Sequence, residues 1–164
     1  MAIQVFIADE QDARPVEPHR LAALARAVLA DREVGRCSEA ELNVLLVDER
    51  TIASMNERFL GHRGPTDVLS FPIEDDLLRT SAGAPAPAGG EPPLLLGDVV
   101  ICPEVAFRNA PGHAGAYEDE LSLLLVHGIL HLLGMDHERD DEAEEMEELE
   151  RRLLARYHEE RDCT

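Results

Sequence analysis

Residues 118–137 read EDELSLLLVHGILHLLGMDH. Three acids, Glu118, Asp119 and Glu120, open the stretch, where the positive end of a helix dipole favours them. A strongly apolar run follows, and it predicts a helix through about His131 that Gly134 is placed to end. His127 and His131 are four residues apart on that helix. Four residues advance about 400°, so the two rings emerge about 40° apart, one turn above the other. This is the spacing by which a helix offers two imidazoles to one metal ion. Gly134 can adopt a left-handed conformation and turn the chain back, so that His137 closes on the same ion. Three neutral imidazoles suit zinc, one ion per chain, and leave a fourth coordination position open.

Packing is a poor account of three histidines within eleven residues. Burying them without partners costs several kcal/mol, by the penalty for unpaired polar groups. A structural zinc site would more often use four protein ligands with at least one Cys. No Cys is near in sequence, although Cys102 could approach in space. The three-His set therefore points to a reactive site. The spacing H-x-x-x-H-x-x-G-x-x-H is also that of the metzincin proteases, which place a general-base Glu after the first His. Here that position is Gly128. A metzincin-like metalloprotease is thus a disfavoured alternative, with Asp136 or Glu138 as the nearest acids that could substitute.

Outward from this stretch, periodicity predicts alternating strands and helices. Ile3, Val5 and Ile7 share one face of a strand at 3–8. Leu21, Leu24 and Val28 mark a helix at 19–34, and Leu42–Val47 is a buried strand. Asp48 can cap a helix whose Ile52, Met55 and Phe59 lie on one side. Val68–Ile73 is a strand, placed near an edge or an end by Pro72. Residues 75–93 carry Gly, Ala and Pro without periodicity and predict a mobile loop. Leu94–Ile101 is the next strand, and Pro103 can open a helix that ends before Pro111. The final helix spans 140–157, with Met146, Leu149, Leu153 and Tyr157 as its apolar stripe and its acids as a solvated face.

A chain of 164 residues with 45% apolar content suits one domain with one core. Cys37, Cys102 and Cys163 include no C-x-x-C pair, which suits a reducing cytoplasm. The opening MAIQVFIADEQDA has no signal-peptide pattern, and no run reaches the roughly 18 apolar residues of a membrane span. Net charge is −19, and all 15 bases are Arg. Residues 138–150, ERDDEAEEMEELE, hold nine acids against one Arg. Nucleic-acid-binding proteins normally carry a basic footprint, so an RNA function here has to work against this charge. His19, His62, His113 and His158 read as surface residues, with His62 the first exception to expect.

The chain resembles the YbeY family of bacterial endoribonucleases and rRNA maturation factors. The likeness rests on HGILHLLGMDH at 127–137, which fits the family's H-G-x-L-H-L-x-G-x-D-H throughout. It extends to GPTDVLSFP at 64–72, LLGDVVIC at 95–102 and DDEAEEMEELE at 140–150, in the family's order. The resemblance implies a single α+β domain over 1–164. Its small mixed β-sheet of about four strands is packed by helices, and the metal site, at a cleft mouth, lies on the helix and turn at 118–137. It implies zinc-dependent, single-strand-specific cleavage of RNA in 16S rRNA 3′-end processing and ribosome quality control. His127, His131 and His137 carry over as metal ligands. Ribosomal RNA and small-subunit proteins are the implied partners, with no DNA and no membrane.

Asp98 falls where the family keeps a functional Asp, and its plain reading is a polar residue at a strand end. Thr66, Asp67 and Ser70 could line the cleft, but a turn followed by a buried strand would use the same residues, and that reading is favoured. One position departs from the pattern. Many members have an aromatic-Arg pair before the Pro-Thr block, a candidate to bind the scissile phosphate. The corresponding pair here is Phe59-Leu60. Arg58 and Arg63 flank the gap, and either can supply the charge bidentately. Arg63, Arg58, Asp98 and Asp136 are therefore the catalytic candidates. A non-enzymatic ribosome assembly factor with a structural metal stays open beside the nuclease, given the acidic charge and the missing Arg.

Overall fold

The structure, a computed structural model, describes residues 3–34, 39–73, 94–135 and 139–162. The predicted loop at 75–93 lies outside the described residues. The elements in chain order are strand β1 (Ile3–Asp9), helix α1 (Pro18–Asp31), β2 (Ala40–Leu46), α2 (Glu49–Met55), β3 (Val68–Pro72), β4 (Leu94–Ile101), α3 (Pro103–Asn109), α4 (Tyr117–Leu132) and α5 (Asp140–Asp162). The fold is α+β, as expected. Four strands form one mixed sheet in the order β1-β2-β4-β3, with β1, β2 and β4 parallel and β3 antiparallel to β4. β3 is an edge strand and Pro72 is its last residue, a place where a missing N–H costs no ladder bond.

The main core lies between one sheet face and helices α1, α4 and α5. Leu42, Val44, Leu46, Val99 and Ile101 from the sheet meet Leu24, Leu29, Leu125, Ile129 and Met146 from the helices. Each such side chain contributes about 1.5–3 kcal/mol on full burial. A second cluster on the opposite face holds Val47, Ile52, Val100, Cys102 and Val105. Burial raises the Cys102 thiol above its ordinary pKa. Among the described residues, no helix is long and apolar enough to cross a membrane.

The predicted caps and breaks act as read. The Asp48 carboxylate accepts a 2.8 Å bond from the Thr51 backbone N–H, which holds its pKa below the usual value. Pro103 opens α3. One expectation fails. Ile52 is buried, but Phe59 is 58% exposed, because the helix widens into a π turn over Asn56–Leu60. The wider turn rotates Phe59 off the inner stripe and brings Asn56 inward, where its amide donates to the Gly64 carbonyl at 3.0 Å. Phe59 instead packs edge-on against Phe71, with ring centroids 5.5 Å apart.

Candidate active site

The site begins with α4, which is held flat against the sheet. Leu121, Leu124, Leu125, Val126, Ile129 and Leu130 are buried. Gly128 permits the close approach, since a Cβ there would stand 2.6 Å from Val99 Cγ1. The Ser70 hydroxyl donates to the Gly128 carbonyl at 3.0 Å and ties edge strand β3 to the same turn. Ser70 is therefore structural, as favoured. The position after His127 faces the sheet, so the general-base Glu of a metzincin has no room here. α4 ends at Gly134 (φ 96°), with Gly134 N–H donating to His131 O and Met135 N–H to Leu130 O, both at 3.0 Å.

His127 and His131 leave α4 side by side and half-buried. Their ring centroids are 4.6 Å apart, and their Nε2 atoms face each other at 3.1 Å. On its far side, His127 Nδ1 donates to Glu150 Oε1 at 2.6 Å. Glu150 comes from α5 and is only 5% exposed. A carboxylate can only accept, so the proton belongs on Nδ1 and Nε2 keeps its lone pair. Two Nε2 atoms at this separation fit a shared ion with metal–nitrogen bonds of about 2.0–2.1 Å. A carboxylate behind a ligating imidazole is the arrangement that fixes the ring and raises its basicity. The donor chemistry thus fits zinc. Asp136, His137 and Glu138 lie outside the described residues, and among those described no third donor completes a metal-binding set. Cys102 is buried in the second core cluster, away from the histidine pair.

A cleft of about 440 Å³ runs along this edge of α4, lined by Asp67, His113, His127, Glu147, Glu150 and Arg151 among others. Of the four histidines read as surface residues, His19, His62 and His113 are exposed and His158 is half-buried, and His113 is the one that lines this cleft. His113 Nδ1 lies 2.9 Å from both oxygens of Glu120, a carboxylate 1% exposed, and the Ala114 N–H donates to Glu120 at 3.1 Å. Glu120 does more than complement the helix dipole: it fixes the loop before α4.

The other predicted residues are scattered. Asp98 lies on the sheet face away from α4, in a groove with Phe6, and accepts a 3.1 Å bond from the Asn43 amide. Arg58 rests its guanidinium over the Phe59 ring, 5.4 Å from its centroid, and Arg63 is exposed in the following loop. Neither lines the cleft that holds His127. Asp67 does line it, while also accepting from the Val68 N–H at 2.8 Å. Glu150 was hidden in the acidic tract. It is four residues after Met146 and three before Leu153, on the apolar stripe, where an acid signals a buried partner.

The sequence profile of the family described as "Endoribonuclease YbeY" matches residues 6–158. Relatives bearing that name include one from Salinispora tropica, 47% identical over 93% of this chain and 95% of its own length. Another, from Frankia alni, is 47% identical over 92% of this chain and 81% of its own. A third, from Thermobifida fusca, is 48% identical over 86% of both. The solution structure of a Thermotoga maritima protein superposes with a TM-score of 0.56 at 26% identity, covering 95% of this chain and 93% of that one.

Proposed function

The chain belongs to the YbeY family of endoribonucleases, and from that membership we propose that it cleaves single-stranded ribosomal RNA with a zinc ion held by His127, His131 and His137. It is a hydrolase acting on RNA. The finer reading is maturation of the 16S rRNA 3′ end and ribosome quality control, in the cytoplasm, alongside small-subunit proteins. One observation carries the metal assignment: two imidazole Nε2 atoms 3.1 Å apart, one of them oriented by a buried carboxylate.

When bound, zinc supplies Lewis acidity toward a phosphodiester. The chain's own residues supply the rest. Glu150 keeps the His127 proton on Nδ1 and holds the ring in place. Gly128 lets α4 settle against the sheet, which fixes the height of the His127 ring at the cleft. His113, with Nδ1 committed to Glu120, has Nε2 left to hold or pass a proton in the cleft that it lines.

The test is to incubate zinc-loaded protein with small-subunit precursor RNA and with assembled pre-ribosomal particles, then map the ends. We expect cuts in single-stranded segments near the 3′ end, abolished by chelation and in His131→Ala. Absence of cutting on both substrates by fully loaded protein would overturn the nuclease reading and favour the assembly factor, which the net charge of −19 already suits.

A further inference from the structure

A cleft that accepts RNA must hold phosphate, yet this one is lined by the acids Asp67, Glu147 and Glu150. Position 60, where the resemblance expects a phosphate-binding Arg, is Leu60, and Arg58 and Arg63 stand outside the lining. Among the described residues, one Arg does line it: Arg151, on the first turn of α5 beyond Glu150. Arg151 is exposed, and no ion pair or hydrogen bond joins it to any described residue. The adjacent Glu150 carboxylate is committed to His127 Nδ1. Among the described residues Arg151 is therefore a guanidinium without a structural partner, next in sequence to the residue that orients a metal-ligand candidate and lining the same cleft.

We infer that Arg151 is the phosphate anchor of this cleft. It binds a backbone phosphate of single-stranded RNA through its planar fork and takes over the charge missing at position 60. This rests on the endoribonuclease reading but names a residue that reading leaves open. The role is binding, so its loss should raise KM more than it lowers kcat. The neighbouring Arg152 is also exposed but does not line the cleft, so it is the matched control for net charge.

The experiment compares Arg151→Ala, Arg151→Lys and Arg152→Ala with the parent chain, each loaded with zinc and assayed for metal content. A short single-stranded oligoribonucleotide with cleavage-resistant phosphorothioate linkages, which keep the backbone charge, is titrated across a salt series, and the cleavable form is used for KM and kcat. For Arg151→Ala we expect binding weaker by about tenfold, the scale of a charged hydrogen bond, and a salt slope lower by about 0.7, the share of one phosphate contact on a single strand. Arg151→Lys should recover part of the affinity, because it keeps the charge and loses the fork. Arg152→Ala should match the parent, and all variants should keep their metal. Equal losses from Arg151→Ala and Arg152→Ala, no loss from Arg151→Ala, or no binding by the parent would each overturn the anchor. If the parent binds but does not cut, the nuclease reading fails separately, and the Arg151-specific loss of binding still supports the anchor.

Discussion

Helices α4 and α5 pack against each other and divide the candidate site between them, but their sequences announce this very differently. α4 is apolar around most of its circumference, so two histidines one turn apart have few explanations besides a metal. α5 is so acidic that one more Glu among nine acids at 138–150 attracts no notice. Glu150 is nonetheless buried against His127, while Glu147 and Glu148 on the same turn are exposed. The candidate donor atoms thus belong to one helix and the orientation of His127 to the other. An imidazole in a fixed tautomer and pose is a better ligand than a rotating one, and a second element must supply that constraint.

The largest effect is expected at the candidate donors on α4. We expect the parent to bind one zinc per chain, and His131→Ala, which leaves α4 with one imidazole, to lose both that zinc and RNA cleavage. Metal analysis of the purified variant is the measurement, and full zinc content would end the assignment of His131. In the parent, X-ray absorption should show nitrogen and oxygen neighbours only. A sulfur shell near about 2.3 Å would mean that a Cys closes the site, against the burial of Cys102 elsewhere.

Glu150 sharpens the contribution of α5. Glu150→Ala should weaken zinc binding by about 10–100-fold, the usual effect of removing a carboxylate behind a ligating His. Glu150→Gln should lose less, since its amide oxygen still accepts from Nδ1. Competition with a chromogenic chelator reads both, and parent-like affinity in Glu150→Ala would confine the metal site to α4 and its turn.

A smaller effect is expected where α4 meets the sheet. Gly128→Ala puts a methyl 2.6 Å from Val99 Cγ1 and should cost about 1–3 kcal/mol by overpacking. Thermal unfolding of metal-free protein gives the value. An unchanged midpoint would show that the helix has slack to move, and that the height of His127 is not set by this contact.

The slightest effect concerns charge around both helices. With a net charge of −19, the protein repels RNA beyond its few local contacts, although screening sets in beyond about 8 Å at physiological salt. Naked single-stranded rRNA should therefore bind weakly, with a shallow salt slope from about two or three phosphate contacts. A basic ribosomal protein that engages the acidic face of α5 should strengthen binding. Tight binding to naked RNA with a steep slope would show that a local Arg cluster overrides the net charge.

Most elements, and the juxtaposition of His127 and His131, were legible in the sequence alone. Alternation in β1, the apolar run of α4 and the signals at Asp48, Pro103 and Gly134 are local, and they appear in the fold where they were read. The pairing of His127 with His131 is likewise a property of one helix and its pitch. Tertiary structure alone decided the rest. Glu150 reaches His127 across 23 residues. Asp98 goes to the far face of the sheet, because Val99 beside it takes the face toward α4. His113 is held by Glu120, and Phe59 leaves the core through a π turn that no side-chain pattern marks. In each case the outcome depends on which surface packs against which. Periodicity states that a face is buried without naming its partner, so a polar residue on that face acquires a role only when another element arrives beside it.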